Sequence, residues 1–122
     1  MTTLLIIEDN DLNLKLARTI LIESGYTLLE ATNAEDGLAL ARVHKPPVVL
    51  MDIHLPGMDG TAALQILRTE PATRHTKVLA ITASAMRGDR ERILAAGFDG
   101  YVSKPFRLQE LLDVVAKMLA EP

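Results

Sequence analysis

The 122 residues of this chain, 48% hydrophobic and 24% charged with a net charge of -3 at pH 7, have the size and balance of one compact soluble domain and lack the basic footprint of a nucleic-acid binder. Cysteine is absent, which excludes disulfides and thiolate metal sites and makes the reducing cytoplasm the expected compartment. No apolar run approaches the roughly 18 residues of a membrane span, and the N-terminus lacks the charged and apolar regions of a signal peptide.

Short apolar runs alternate with amphipathic segments through the whole chain. Leu4 to Ile7 reads as a strand that runs into Glu8-Asp9. The first helix is expected from near Asp11 to Gly25, a residue suited to a left-handed helix end. Leu12, Leu16, Ala17, Ile20 and Leu21 form its expected core stripe, with Leu14 and Ile22 off it. Tyr26 to Ala31 reads as the second strand. Asn33 is placed to cap the second helix, with Asp36 three residues on, and Leu38, Ala39 and Ala41 supply a small apolar face. Pro46-Pro47 ends that helix and introduces the third strand, whose run Val48 to Met51 closes on Asp52. His54 to Gly60 (HLPGMDG) is loop chemistry, since Pro-Gly and Asp-Gly mark turns. A third helix follows over about Thr61 to Arg68, then an irregular connection over Thr69 to Thr76. The fourth strand, Lys77 to Ile81, runs into Thr82, and the fourth helix covers about Arg87 to Ala96 and stops at Gly97. Gly100 to Ser103 is the fifth strand and runs into Lys104-Pro105. The last helix spans about Leu108 to Ala120, with Leu108, Leu111, Leu112, Val115 and Leu119 as its stripe and Val114 and Met118 towards the edge.

Strands alternating with helices imply right-handed βαβ units around a parallel sheet. Five such units in a chain this short favour a flavodoxin-like three-layer (βα)5 sandwich with strand order 2-1-3-4-5. Its third and fourth strands are continuous apolar runs, as expected when helices cover both faces.

In such a sheet the carboxyl ends of the strands share one edge, and ligands bind in the crevice there. Glu8, Asp9, Asp52, Thr82 and Lys104 would therefore converge. Each alone fits a blander role, because acids and threonines are common at helix starts and most lysines are solvated. Together, three carboxylates, a hydroxyl and an ammonium suit a hard cation and a phosphoryl group. Crowded carboxylates resist ionisation unless a cation sits among them, and Mg2+ typically takes one or two protein carboxylates, waters and phosphate oxygens. A carboxylate such as Asp52 is a competent nucleophile towards phosphorus, while Lys104 and Thr82 could meet charge on the transferring oxygens. A cis Lys104-Pro105 peptide would aim the lysine back into the site, and an ordinary trans turn is the alternative.

The stretches IIEDN (Ile6 to Asn10), VVLMDIHLPGMDG (Val48 to Gly60), AITASAM (Ala80 to Met86) and AGFDGYVSKPF (Ala95 to Phe106) resemble, in this order, the receiver domains of bacterial two-component response regulators. The EDN start with Asn13 and the ITASAMRGD stretch look most like single-domain receivers of the DivK kind, and also resemble the receivers of hybrid histidine kinases. The resemblance covers essentially the whole chain, residues 1–122, as one receiver domain with no output domain. It implies that Asp52 takes a phosphoryl group from a histidine kinase or phosphotransfer protein. It also implies that Glu8, Asp9, Asp52 and the backbone carbonyl of His54 hold Mg2+, with Mn2+ as a substitute. Thr82 and Lys104 match the phosphate-sensing hydroxyl and phosphate-pairing lysine, and Tyr101 matches the aromatic switch residue. His54 and Ser84 lie where side chains tune the lifetime of the phosphoryl group, whereas His44 and His75 read as surface residues.

The expected product is a cytoplasmic phosphoprotein switch, monomeric or weakly dimeric, with no nucleic-acid or membrane partner. Its first helix would dock the phosphodonor, and the fourth helix, fifth strand and fifth helix would dock an output protein. The family is one of phosphoacceptors that assist their own phosphorylation and dephosphorylation rather than enzymes. A receiver module cut from a hybrid histidine kinase would share this chemistry. An aspartyl-phosphate hydrolase of the haloacid-dehalogenase type is the reading from another class, but it wants an acid where this chain has His54.

Overall fold

A computed structural model describes residues 2–83 and 87–120. In chain order the elements are β1 (Thr3–Ile7), α1 (Asp11–Glu23), β2 (Thr27–Ala31), α2 (Ala34–His44), β3 (Val48–Asp52), α3 (Gly60–Thr69), β4 (Lys77–Thr82), α4 (Arg87–Ala95), β5 (Gly100–Ser103) and α5 (Leu108–Ala120). All strand pairs are parallel, in the order β2-β1-β3-β4-β5. This is the flavodoxin-like arrangement that the alternation implies. Ser84 lies outside the described residues.

Local chemistry sets the helix ends. Asn10, Asn33 and Asp59 cap α1, α2 and α3 by accepting the backbone N–H of Asn13, Asp36 and Ala62, which satisfies donors that a first turn leaves unpaired. Lys45 turns left-handed at φ 47° just ahead of Pro46 and stops α2. The Lys104-Pro105 peptide is cis.

The pleat divides the core into two layers. Leu5, Ile7, Val49, Met51, Val78 and Ala80 face one way, against α2, α3 and Ile93 of α4. Leu4, Ile6, Val48, Leu50, Leu79 and Ile81 face the other, against α1 and α5. Alternate residues of a strand point to opposite faces, so the interiors of β1, β3 and β4 carry apolar residues towards both layers.

Three helix stripes differ from the sequence expectation. On α1 the core residues are Leu14, Ala17, Ile20 and Leu21, whereas Leu12 is 77% and Leu16 38% exposed. On α5, Met118 joins Leu111 and Val115 in the core and Leu108 is 57% exposed. The cause for Leu12 and Leu108 is the same. Each lies in the first turn of a helix that starts at the carboxyl edge of the sheet, where no strand remains beneath it. On α2, Ala39 is likewise exposed, and Gly37 lies against β1 instead.

Candidate functional site

The strand ends bring the expected side chains to one edge. Asp52 is the last residue of β3 and pairs with Ile81, one step before Thr82, in register on β4. Glu8 directly follows β1, and its N–H still donates to the Ala31 carbonyl at 3.0 Å, so the pleat persists beyond Ile7. Lys104 follows β5 and its N–H donates to the Thr82 carbonyl at 2.8 Å. Glu8, Asp52 and Thr82 are buried, at 0%, 2% and 2% exposure, while Asp9 is exposed.

One ammonium holds the centre. Lys104 Nζ lies 2.8 Å from Asp52 Oδ2 and 2.7 Å from Glu8 Oε1. The other Asp52 oxygen, Oδ1, accepts the His54 N–H at 2.9 Å, and Glu8 Oε2 accepts the Asn10 N–H at 3.2 Å. Glu8 Oε1 is buried and receives no well-aligned hydrogen bond; its approach to Lys104 is a charge contact. Burial, with Asp52 adding to it, pushes the Glu8 carboxyl up to about 7 against the opposing pull of Lys104. Burial alone would depress Lys104, but Asp52 and Glu8 hold it above its ordinary value.

These residues fit a hard divalent cation. Oxygens of Glu8, Asp9 and Asp52 come within 4.8 Å of one another. Three carboxylates to one ammonium leave negative charge in excess, and Glu8 Oε1 is a buried acceptor without a directed donor. Exposed Asp9 leaves the carboxylate cluster open to water, which a bound Mg2+ would retain.

Two further expectations are placed by parity. Thr82 shares its face with Val78 and Ala80, the α2/α3/α4 side, and lines a cavity of about 370 Å³ with Ile53, His54, Thr61, Ile93 and Phe98. Tyr101, in register with Ala80, packs on the same side, and the Arg90 guanidinium of α4 stands 5.9 Å from its ring centroid. The His54 side chain is exposed, as are His44 and His75. Sequence reasoning missed the backbone partners, the His54 and Asn10 amides, because a peptide N–H carries no residue signature.

The family model for the response regulator receiver domain matches residues 4–116. Over 119 residues, 98% of this chain and 97% of the relative, the sequence is 39% identical to the polar-differentiation response regulator DivK of Brucella anthropi. Among solved structures, the receiver domain of sensor histidine kinase PA1611 from Pseudomonas aeruginosa, with a magnesium ion coordinated in its active-site cleft, superposes with a TM-score of 0.90 at 30% identity, covering 98% of both chains. A CheY-like receiver domain protein from Methanospirillum hungatei gives 0.86 at 29% identity, covering 98% of this chain and 94% of that one.

Proposed function

The chain belongs to the response regulator receiver domain family of two-component signalling, and on that premise we propose that Asp52 accepts a phosphoryl group from a phosphohistidine donor and thereby switches the domain's protein contacts. One observation carries this reading. A buried strand-end carboxylate is paired with Lys104 and the His54 amide, next to Glu8 and Asp9.

An Asp52 carboxylate oxygen attacks phosphorus, the P–N bond to the donor imidazole breaks, and its electron pair returns to the ring nitrogen. The negative oxygens of the transferring group then meet the Lys104 ammonium and the Thr82 hydroxyl. Glu8, Asp9, Asp52 and the His54 carbonyl would hold Mg2+, or Mn2+ in its place, which supplies charge neutralisation at those same oxygens. In this reading the protein is a phosphoacceptor that assists its own phosphorylation and dephosphorylation. Position two after the acceptor is His54, with an exposed side chain, so the acid required by a dehalogenase-type hydrolase is missing.

The phosphodonor, a sensor histidine kinase or phosphotransfer protein, would dock on α1, which presents Leu12, Leu16 and Ile22 to solvent at a helix starting two residues beyond Asp9. The output protein would take the α4–β5–α5 face. In this reading the protein is a single-domain cytoplasmic regulator, and its single-domain character is supported by the DivK relative, matched over 97% of its own length. No described helix is long and apolar enough to cross a membrane. A relay role, as a receiver within a hybrid kinase, is the second reading, and the PA1611 receiver favours it at 30% identity.

Incubation with acetyl phosphate and Mg2+ should add one phosphoryl group, found on Asp52 by mass spectrometry. Asp52→Asn should take up none, and equal labelling of that variant would overturn the assignment.

A further inference from the structure

The loop after Asp52 returns to it through an unusually close backbone contact. Gly60, the first residue of α3, donates its N–H to the Ile53 carbonyl at 2.8 Å. A Cβ at Gly60 would lie 2.5 Å from the Asp52 carbonyl oxygen, 2.7 Å from Ile53 Cα and 3.2 Å from the Asp52 carbonyl carbon. All three atoms are backbone, so no rotamer change can relieve the clash. Gly60 has no positive φ, and a larger residue could adopt its conformation. The requirement is for space alone.

On the opposite side, the Ile53 N–H donates to the Ile81 carbonyl of β4 at 3.1 Å. The peptide joining Asp52 to Ile53 is therefore clamped between β4 and the first turn of α3. That turn is fixed by Asp59, whose side chain accepts the Ala62 N–H at 2.8 Å. The next peptide carries the His54 N–H that holds Asp52 Oδ1.

We propose that Gly60 is a positioning residue for the acceptor: its missing side chain lets α3 close on the Asp52–Ile53 peptide, and this closure aims the His54 amide at the Asp52 carboxylate. The inference rests on the reading of Asp52 as the acceptor. It adds that α3, which supplies no side chain to the acidic cluster, sets the orientation of that cluster through backbone contact. Gly57 is the natural control. It lies in the same loop at φ 76°, yet a Cβ there meets nothing within 4 Å. Gly57→Ala strains the backbone without touching the acceptor.

The test compares Gly60→Ala, Gly57→Ala and the parent. Hydrogen exchange of the His54 amide is read in metal-free protein, and Mg2+ affinity and the acetyl-phosphate rate at saturating Mg2+ are read alongside urea stability. Gly60→Ala should exchange His54 at least tenfold faster and lose about tenfold in both Mg2+ affinity and phosphorylation rate while remaining folded. Gly57→Ala should lose stability but keep the parental rate. If Gly60→Ala only lowers the urea midpoint, with parental His54 exchange and rate, the residue is structural and the proposal fails. Should Gly60→Ala not fold, Asp59→Ala loosens the same turn without adding an atom beside Asp52. It should lose about threefold or more in rate, and a parental rate and parental His54 exchange in that variant would overturn the proposal. A parent that does not label on Asp52 would instead overturn the acceptor assignment, so the two failures are distinguishable.

Discussion

Replacing Lys104 by Met removes the ammonium that touches both buried carboxylates and keeps much of the apolar stem. Removing one partner of a buried ion pair typically costs about 3–5 kcal/mol, because the remaining charge is stranded. Here the cost is smaller, since Glu8 has an escape through protonation. Its carboxyl, raised from 4.5 to about 7, binds a proton in the folded state over a range where the unfolded chain has released it. Stability therefore falls as pH rises through that window, because the folded state binds more protons there than the unfolded one. At about 1.4 kcal/mol per pKa unit, the fall is at most roughly 3.5 kcal/mol in the parent.

Lys104 is the main influence that lowers Glu8, so its loss extends the window upwards. Metal-free Lys104→Met should be within about 1 kcal/mol of the parent at pH 5.5 but roughly 2 kcal/mol less stable at pH 8.5. Mg2+ should restore most of that difference, and it should bind the variant more tightly, because it no longer competes with the ammonium. Urea denaturation at the two pH values, with EDTA or with Mg2+, reads all of these outcomes. A deficit independent of pH, or one that Mg2+ leaves unchanged, would refute the view that Lys104 neutralises Glu8 and Asp52.

Three other variants separate metal binding, switching and stability. Asp9→Ala should remain folded yet lose Mg2+ binding and acetyl-phosphate labelling, and normal labelling would mean that the metal site is misplaced. Thr82→Ala should still take a phosphoryl group on Asp52 but transmit little of it. One hydrogen bond to a charged group is worth about 1.5–3 kcal/mol, or roughly a ten- to hundredfold shift in population. NMR of the beryllofluoride-bound forms checks this, and parental shifts at Tyr101 and in α4 would exclude the Thr82–Tyr101 coupling. Arg68→Met removes bonds from one guanidinium to the Thr76 and Gly97 carbonyls and to Asp99 Oδ2, and should cost about 2 kcal/mol. A loss below about 0.5 kcal/mol in urea would show that water replaces those partners.

The convergence of the candidate side chains is legible in the sequence because they sit at the ends of uniform apolar runs. Asp52 after Val48 to Met51 and Thr82 after Val78 to Ile81 are polar residues where the strand pattern stops, and βα alternation places such positions on one edge. Leu12 and Leu108 were misread for the same geometric reason. Helical spacing says which residues share a face, but not where the sheet beneath that face ends. Gly60 and the His54 amide were invisible, because their contribution is a backbone approach set by how α3 returns to β3. Arg68 was equally hidden, since three of its acceptors are peptide carbonyls brought close only by the folded 70–76 connection and the α4–β5 turn.

The carboxyl edge also lets the two core layers share a ligand. Asp52 has the parity of Val48 and Leu50, whose side chains enter the α1/α5 layer, whereas Thr82 has the parity of Val78 and Ala80, which enter the layer of α2, α3 and α4. Within the sheet, residues of opposite parity are separated by the sheet itself. At the edge they are not, so a group attached to Asp52 can be felt by Thr82 and, on the same face, by Tyr101 beneath Arg90. Moving the proposed acceptor one residue back, to the position of Met51, would place it in the other layer and within the sheet. On the proposed reading of Asp52 as the acceptor, its place as the terminal residue of β3 thus lets chemistry that begins beside α1 be read on α4.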